Sequence, residues 1–186
     1  MRRKIDSTVS WLIRNIERVS KWTGLSVAWL AVPLVVVVVY EVIARKFFTP
    51  TQWAFDLSYM FYGSHFMLLA AYALYRQKHI RADIWYGSWS PRTQGLLDAT
   101  MYLFLFFPGM ALFLWISCDY FYYSWLLRET STASAWRPII YPFKAVIPVA
   151  IALLILQGIA EFLKSVRRVL GIEVPTIVSE VSYDES

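Results

Sequence analysis

The stretch WTGLSVAWLAVPLVVVVVY, from Trp22 to Tyr40, carries no charged side chain and has five consecutive valines, 35–39, just before its end. Its length decides its meaning. A bilayer core about 30 Å thick is crossed by about 20 apolar residues in helical form, and this stretch is long enough to do so. The β-branched valines suit a strand, but a lone strand in lipid leaves its backbone groups unpaired, so a helix is predicted. Working outward, three more stretches match. Leu57 to Tyr75 has only His65 as a titratable group apart from its tyrosines, Ala99 to Cys118 has no basic or carboxylate group, and Pro138 to Ala160 is interrupted by Lys144 alone. The expected fold is an all-α membrane protein with four transmembrane helices, at about 22–44, 54–75, 95–127 and 138–163.

Composition points the same way. The 186 residues are 58% hydrophobic, 18% aromatic and only 17% charged, with a mean hydropathy of +0.47. Soluble domains carry about 25% charged residues. A disordered chain, a nucleic-acid-binding module and a soluble enzyme are therefore excluded. The net charge of +5 suits the anionic inner face of a membrane rather than nucleic acid. A single cysteine, Cys118, allows no intrachain disulfide and no cysteine-built metal site.

Lysine and arginine set the orientation. Thirteen lie in the amino-terminal segment, the second connection and the carboxyl end, against five (Arg45, Lys46, Arg128, Arg137 and Lys144) on the other side. Both termini are expected in the cytoplasm, and the protein as a multi-pass resident of a bacterial inner membrane. The first apolar run exceeds the 7–15-residue core of a signal peptide, so an uncleaved signal-anchor helix is preferred over a cleaved leader ending near Val42-Ile43-Ala44. Residues 1–21 place Ile5, Val9, Leu12, Ile13, Ile16 and Val19 at helical spacing, with Arg14, Glu17, Arg18 and Lys21 opposite. That pattern predicts an amphipathic helix on the cytoplasmic surface, the alternative being an extension of the first span. Thr49-Pro50-Thr51 breaks the chain into a hairpin, and Ser90-Pro91 supplies an N-cap and first-turn proline. From Arg92 to Leu127 only Pro108-Gly109 interrupts a helix about 50 Å long, which must tilt, kink or project. Residues 166–186 are expected to be a polar cytoplasmic tail, disordered from Gly171 onward.

Ionisable groups are costly in lipid, so each was placed by depth. Glu41, Arg45, Asp56, Asp119 and Lys144 fall near the outer boundary; Arg76, Arg81, Asp83, Asp98 and Glu161 fall near the inner one. Only His65 and Gln157 approach the middle. Charges banded at the rims suit a structural body better than a conduit. A bis-histidine haem site is excluded because the second histidine, His79, lies in a connection. His65 is then a histidine bonded to a neighbouring helix. Glu41 stands one turn before Arg45, an i,i+4 pair rather than a proton carrier. Trp53, Trp125 and Trp136 fit interfacial belts; Trp29 and Trp115 lie deeper, placed to pack on protein. Gly63, Ser64, Ala70, Ala71 and Ala73 give the second span a small-residue side. No cofactor or metal is expected.

Several segments together resemble a known family. Glu41-Val42-Ile43-Ala44-Arg45 followed by Trp53-Ala54-Phe55-Asp56, then His79-Ile80-Arg81-Ala82-Asp83, then Leu97-Asp98, are similar in order and setting to the DctQ-type small membrane subunit of tripartite ATP-independent periplasmic (TRAP) transporters. The segment around Arg128, Glu129, Trp136 and Lys144 is similar to a subgroup of longer small subunits.

The resemblance implies a noncatalytic scaffold in a sodium-driven system that takes up an organic acid. In that family a large multi-span subunit carries the substrate, a periplasmic substrate-binding protein delivers it, and the small subunit braces the large one. It implies that Glu41, Arg45, Asp56 and Lys144 form an outer polar cluster, and that His79, Arg81 and Asp83 order the cytoplasmic turn. Arg128, Glu129, Trp136 and Arg137 would face the large subunit or the binding protein. The rival readings are a self-sufficient proton-coupled exporter working as a homodimer through Glu41, and a haem-bearing respiratory anchor.

Overall fold

The computed structural model describes residues 2–76 and 89–172. They form helices α1 (Arg2–Ala28), α2 (Ala31–Phe47), α3 (Ala54–Tyr75), α4 (Pro91–Met101), α5 (Phe107–Leu126) and α6 (Tyr141–Leu170), with a five-residue π turn, Tyr102–Phe106, between α4 and α5. Among the described residues there is no strand, only an antiparallel bridge between Thr130 and Ile139.

Three helical segments are long and apolar enough to cross a membrane: Ser7–Phe47, Pro91–Leu126 and Tyr141–Leu170. The remaining expected span, α3, has the length, at 22 residues. It is less apolar, because Asp56, Ser58, Ser64, His65 and four tyrosines lie along it. Its place in the bundle explains the tolerance: α3 packs against α1, α2 and α6, so part of its polar surface meets other helices.

The expected first span is not one continuous helix. α1 ends at Ala28 and α2 begins at Ala31, with a tight turn between them. Pro33 accounts for the break. Its ring has no N–H and collides with the carbonyl four residues earlier, that of Trp29. The chain responds with shorter i→i+3 bonds, from Trp29 N–H to the Ser26 carbonyl at 3.3 Å and from Leu30 N–H to the Val27 carbonyl at 2.9 Å.

α1 also differs from the expected surface helix. It runs through residue 21 without interruption and packs against α3 and α6. Its buried stripe is Ile13, Glu17, Ser20 and Val27, while Leu12 and Val19 of the expected apolar face are exposed. Glu17, expected on the polar outer side, is fully buried. Arg14, Arg18 and Lys21 stay exposed as the pattern predicts, so only Glu17 and Ser20 of the polar residues turn into the seam, beside the buried Ile13.

α6 is the centre of the bundle, packing on α1, α3, α4, the π turn and α5. The π turn fixes one of these contacts. Pro108 withdraws an N–H from the helix just beyond it, and the Phe107 N–H reaches back to the Tyr102 carbonyl. The kink expected at Pro108 is thereby taken up in the turn before it. Phe106 then lies against Gly158 of α6, where any side-chain carbon would overlap its ring, and Phe107 meets Phe162 edge-on with centroids 5.8 Å apart. The expected cap is present: Ser90 Oγ accepts from the Thr93 N–H at 3.3 Å, with Pro91 in the first turn. On the small-residue side of α3, Ala71 is buried and Gly63 faces the Phe143 ring.

Candidate functional site

Polar side chains concentrate at the two ends of the bundle. The hairpin end holds the connections 48–53 and 127–140. The terminal end holds the start of α1 and the close of α6.

At the hairpin end the expected single cluster resolves into three sets. In the first, Glu41 on α2 accepts from Arg45 Nε at 2.6 Å and from both the hydroxyl and the N–H of Thr51. The i,i+4 pair is as expected, and Thr51 ties the carboxylate to the turn that follows. Arg45 stays 61% exposed, so solvent screens the pair and it adds little by itself. Trp53 stacks on Tyr40 with centroids 5.5 Å apart, closing the same hairpin.

The second set centres on Asp56 in the first turn of α3. Its carboxylate is 2% exposed and accepts from the hydroxyls of Ser131, at 2.6 Å, and Ser134. Those hydroxyls in turn accept from the N–H groups of Ala133 and Trp136. Asp56 therefore organises a connection that is distant in sequence.

In the third set, Lys144 Nζ donates to Glu129, which also accepts from Ser124 Oγ at 2.7 Å. The same ammonium lies 4.0 Å from the centroid of the Tyr120 ring, a cation–π contact. The Lys144 ammonium, followed by the Ser124 hydroxyl, holds the Glu129 carboxyl below its ordinary value.

Arg128 and Arg137 flank this connection in left-handed conformations, with φ of 46° and 48°. Arg128 occupies the place after α5 that glycine commonly fills: its N–H reaches the Trp125 carbonyl and the Glu129 N–H reaches that of Ser124. Gly171 ends α6 in the same way, with φ of 69°. A left-handed arginine costs about 1–2 kcal/mol. The surrounding bonds hold it, including Ser131 N–H to the Pro138 carbonyl at 2.8 Å. The outcome is a rigid platform on which Arg128, Trp136 and Arg137 are exposed.

The terminal end carries a cluster that the sequence reading missed. Lys164 Nζ lies 2.7 Å from Glu161 Oε1 and in ion-pair contact with Glu17 Oε1. All three side chains are 5% exposed or less. Gln157 Nε2 donates to Glu161 at 3.1 Å, and Ser20 Oγ donates to Gln157 at 2.7 Å. Arg167 donates to Ser10 at 2.8 Å. Glu161, expected at the inner rim, is thus inside the protein, and Gln157 is fully buried. The available signal was the spacing Ser10, Ile13, Glu17, Ser20 on α1 against Gln157, Glu161, Lys164 on α6. Both follow the alternating three-and-four steps of a packed helix seam. Asp98 on α4 approaches Arg168 on α6 at 3.6 Å.

His65 Nδ1 lies 3.0 Å from the Val27 carbonyl oxygen, the bond to a neighbouring helix that was expected. His79, Arg81 and Asp83 lie outside the described residues. Among those described, no group of three or more His, Cys, Asp or Glu side chains is arranged to hold a metal. Chemically, these groups serve structure: they bond one another along a helix, across a helix contact or across a turn, and Glu17 faces the Lys164 ammonium as an ion pair while both its oxygens lack a hydrogen bond.

A family model described as "Tripartite ATP-independent periplasmic transporters, DctQ component" matches residues 34–168. No curated protein matches the chain, and no solved structure does.

Proposed function

The chain belongs to the DctQ component family of tripartite ATP-independent periplasmic transporters, and on that premise we propose that it is the noncatalytic scaffold of a sodium-driven system taking up an organic acid. As a small membrane subunit of such a transporter it works beside a large permease subunit and a substrate-binding protein. It braces the large subunit in a bacterial inner membrane. On this reading α3 is a fourth span, both termini are cytoplasmic, and the platform at 127–140 faces the periplasm and the arriving binding protein.

One observation carries this reading beyond the family match. The buried polar groups are tied to one another at the two ends of the bundle, as in the Glu17–Lys164–Glu161 cluster and the Asp56–Ser131–Ser134 set. Between those ends lie apolar contacts such as Ala150 and Ile151, and the His65–Val27 bond ties α3 to α1. Helices cross-tied in this way resist sliding past one another, which is what a static support requires. Glu41, which a stand-alone exporter would use, is held by Arg45 and Thr51.

The test is reconstitution. Liposomes holding this chain alone should move no solute under a sodium or proton gradient. Liposomes holding it with the large subunit should take up solute once the binding protein is added, and should lose uptake when this chain is left out. Transport by the chain alone, or full uptake without it, would overturn the proposal.

A further inference from the structure

α5 is held to the bundle by a narrow seam. Its buried residues are Ser117 and Ser124, seven apart and so on one side of the helix. Asp119 lies two residues beyond Ser117, about 200° round the axis, and so points away from the bundle. Leu112, Trp115, Tyr122 and Tyr123 share that outward side, each more than half exposed. The Trp115 indole donates to Asp119 Oδ2 at 3.1 Å; among the described residues no cation pairs with this carboxylate.

The outward wall of α2 offers a contrast. Val32, Val35, Val36 and Val39 are equally exposed and present nothing but aliphatic carbon, the surface lipid tails accept. The wall of α5 has tryptophan and two tyrosines, residue types enriched among the anchors of protein interfaces, and beside them an acid whose charge is available for pairing. The helical segment that carries it, Pro91–Leu126, is long and apolar enough to cross a membrane, so on the scaffold reading part of this wall lies within the bilayer. Lys144 Nζ lies over the Tyr120 ring, which puts Asp119 level with the first turn of α6 and Trp115 a turn deeper. A phospholipid phosphate at that level would be repelled by the carboxylate, whereas a lysine, arginine or neutral donor on a neighbouring helix would complement it.

We propose that the outward face of α5, centred on Trp115 and Asp119, is the surface that docks on the large permease subunit, against a membrane helix bringing a cationic or hydrogen-bond-donating side chain to Asp119. This rests on the scaffold reading above and specifies its contact surface.

The test uses the co-expressed complex, purified through a tag on this chain, with the large subunit quantified. Asp119→Lys and Trp115→Ala should each lower recovery of the large subunit by about tenfold or more, while Val36→Trp on α2 leaves it unchanged. Because both side chains point outward, the variant chains should remain monodisperse in detergent. A photo-crosslinking residue at position 115 should join the large subunit, and one at position 36 should not. Wild-type recovery in both α5 variants, equal loss in Val36→Trp, or crosslinking from position 36 alone would overturn the assignment and leave the scaffold reading standing. Failure of the wild-type chain to bring down the large subunit would remove both.

Discussion

His65 on α3 places Nδ1 3.0 Å from the carbonyl oxygen of Val27, one residue before α1 ends. A carbonyl only accepts, so Nδ1 carries the proton. Val27 lies in the turn that Pro33 forces on the chain, and its carbonyl already accepts from the Leu30 N–H. The histidine thus fastens a neighbouring helix to the bend between α1 and α2.

This bond is a fastener, not a relay. His65→Leu should lower thermal stability by only about 0.6 kcal/mol, the usual worth of a side-chain bond between membrane helices. Uptake by the assembled transporter should persist. Loss of uptake with the complex intact, measured on reconstituted variants, would show that the histidine handles protons.

Lys164 neutralises two buried carboxylates at once. Lys164→Met should destabilise the chain by about 3–5 kcal/mol, because Glu17 and Glu161 are left facing each other without a cation. Adding Glu17→Gln and Glu161→Gln should recover much of that loss. Thermal unfolding in detergent measures both steps; a single variant as stable as the parent would contradict the burial of the cluster.

Gly158 exists for Phe106. Gly158→Leu should cost roughly 1–3 kcal/mol by overpacking, and Phe106→Ala introduced with it should restore part of the stability. A double-mutant cycle followed by unfolding gives the coupling. Additive effects would place the two residues apart.

Glu129 makes stability depend on acid. Its folded value lies below the ordinary one because Lys144, then Ser124, bond the ionised form. A depressed carboxylate stabilises fully above its unfolded value and loses that contribution as pH falls through the folded one. The hairpin end should therefore loosen below about pH 4.5, modestly, since the side chain is 42% exposed. Hydrogen exchange at residues 129–140 across that range should show the change, and Glu129→Gln should abolish it.

What could be read beforehand followed from local rules. Apolar runs mark the long helices, expected at about 95–127 and 138–163 and found at 91–126 and 141–170, spacing pairs Glu41 with Arg45, and Ser90-Pro91 marks the start of α4. The α1–α2 break is also local, since Pro33 lies within the apolar run from Trp22 to Tyr40. The terminal cluster was different. Glu17 and Lys164 are far apart in the chain, and amphipathic reasoning for water assigns the charged side of α1 outward. Arg14, Arg18 and Lys21 do face outward, whereas Glu17 and Ser20 turn inward to Lys164 and Gln157 of α6. The hydroxyls on Asp56 were equally hidden, because Ser131 and Ser134 reach it only once the 127–140 connection has folded back on α3.

The five-residue turn at Tyr102–Phe106 acts as a one-residue vernier in a rod of two parts. Each helical residue turns the axis by about 100°, so excising one residue there would rotate α5 against α4 by roughly that angle. Ser117 and Ser124 would leave the seam with α6, and the wall bearing Trp115 and Asp119 would swing to a new compass bearing. A single inserted residue, one helical turn beyond Asp98, therefore sets the direction in which this subunit looks at its neighbours.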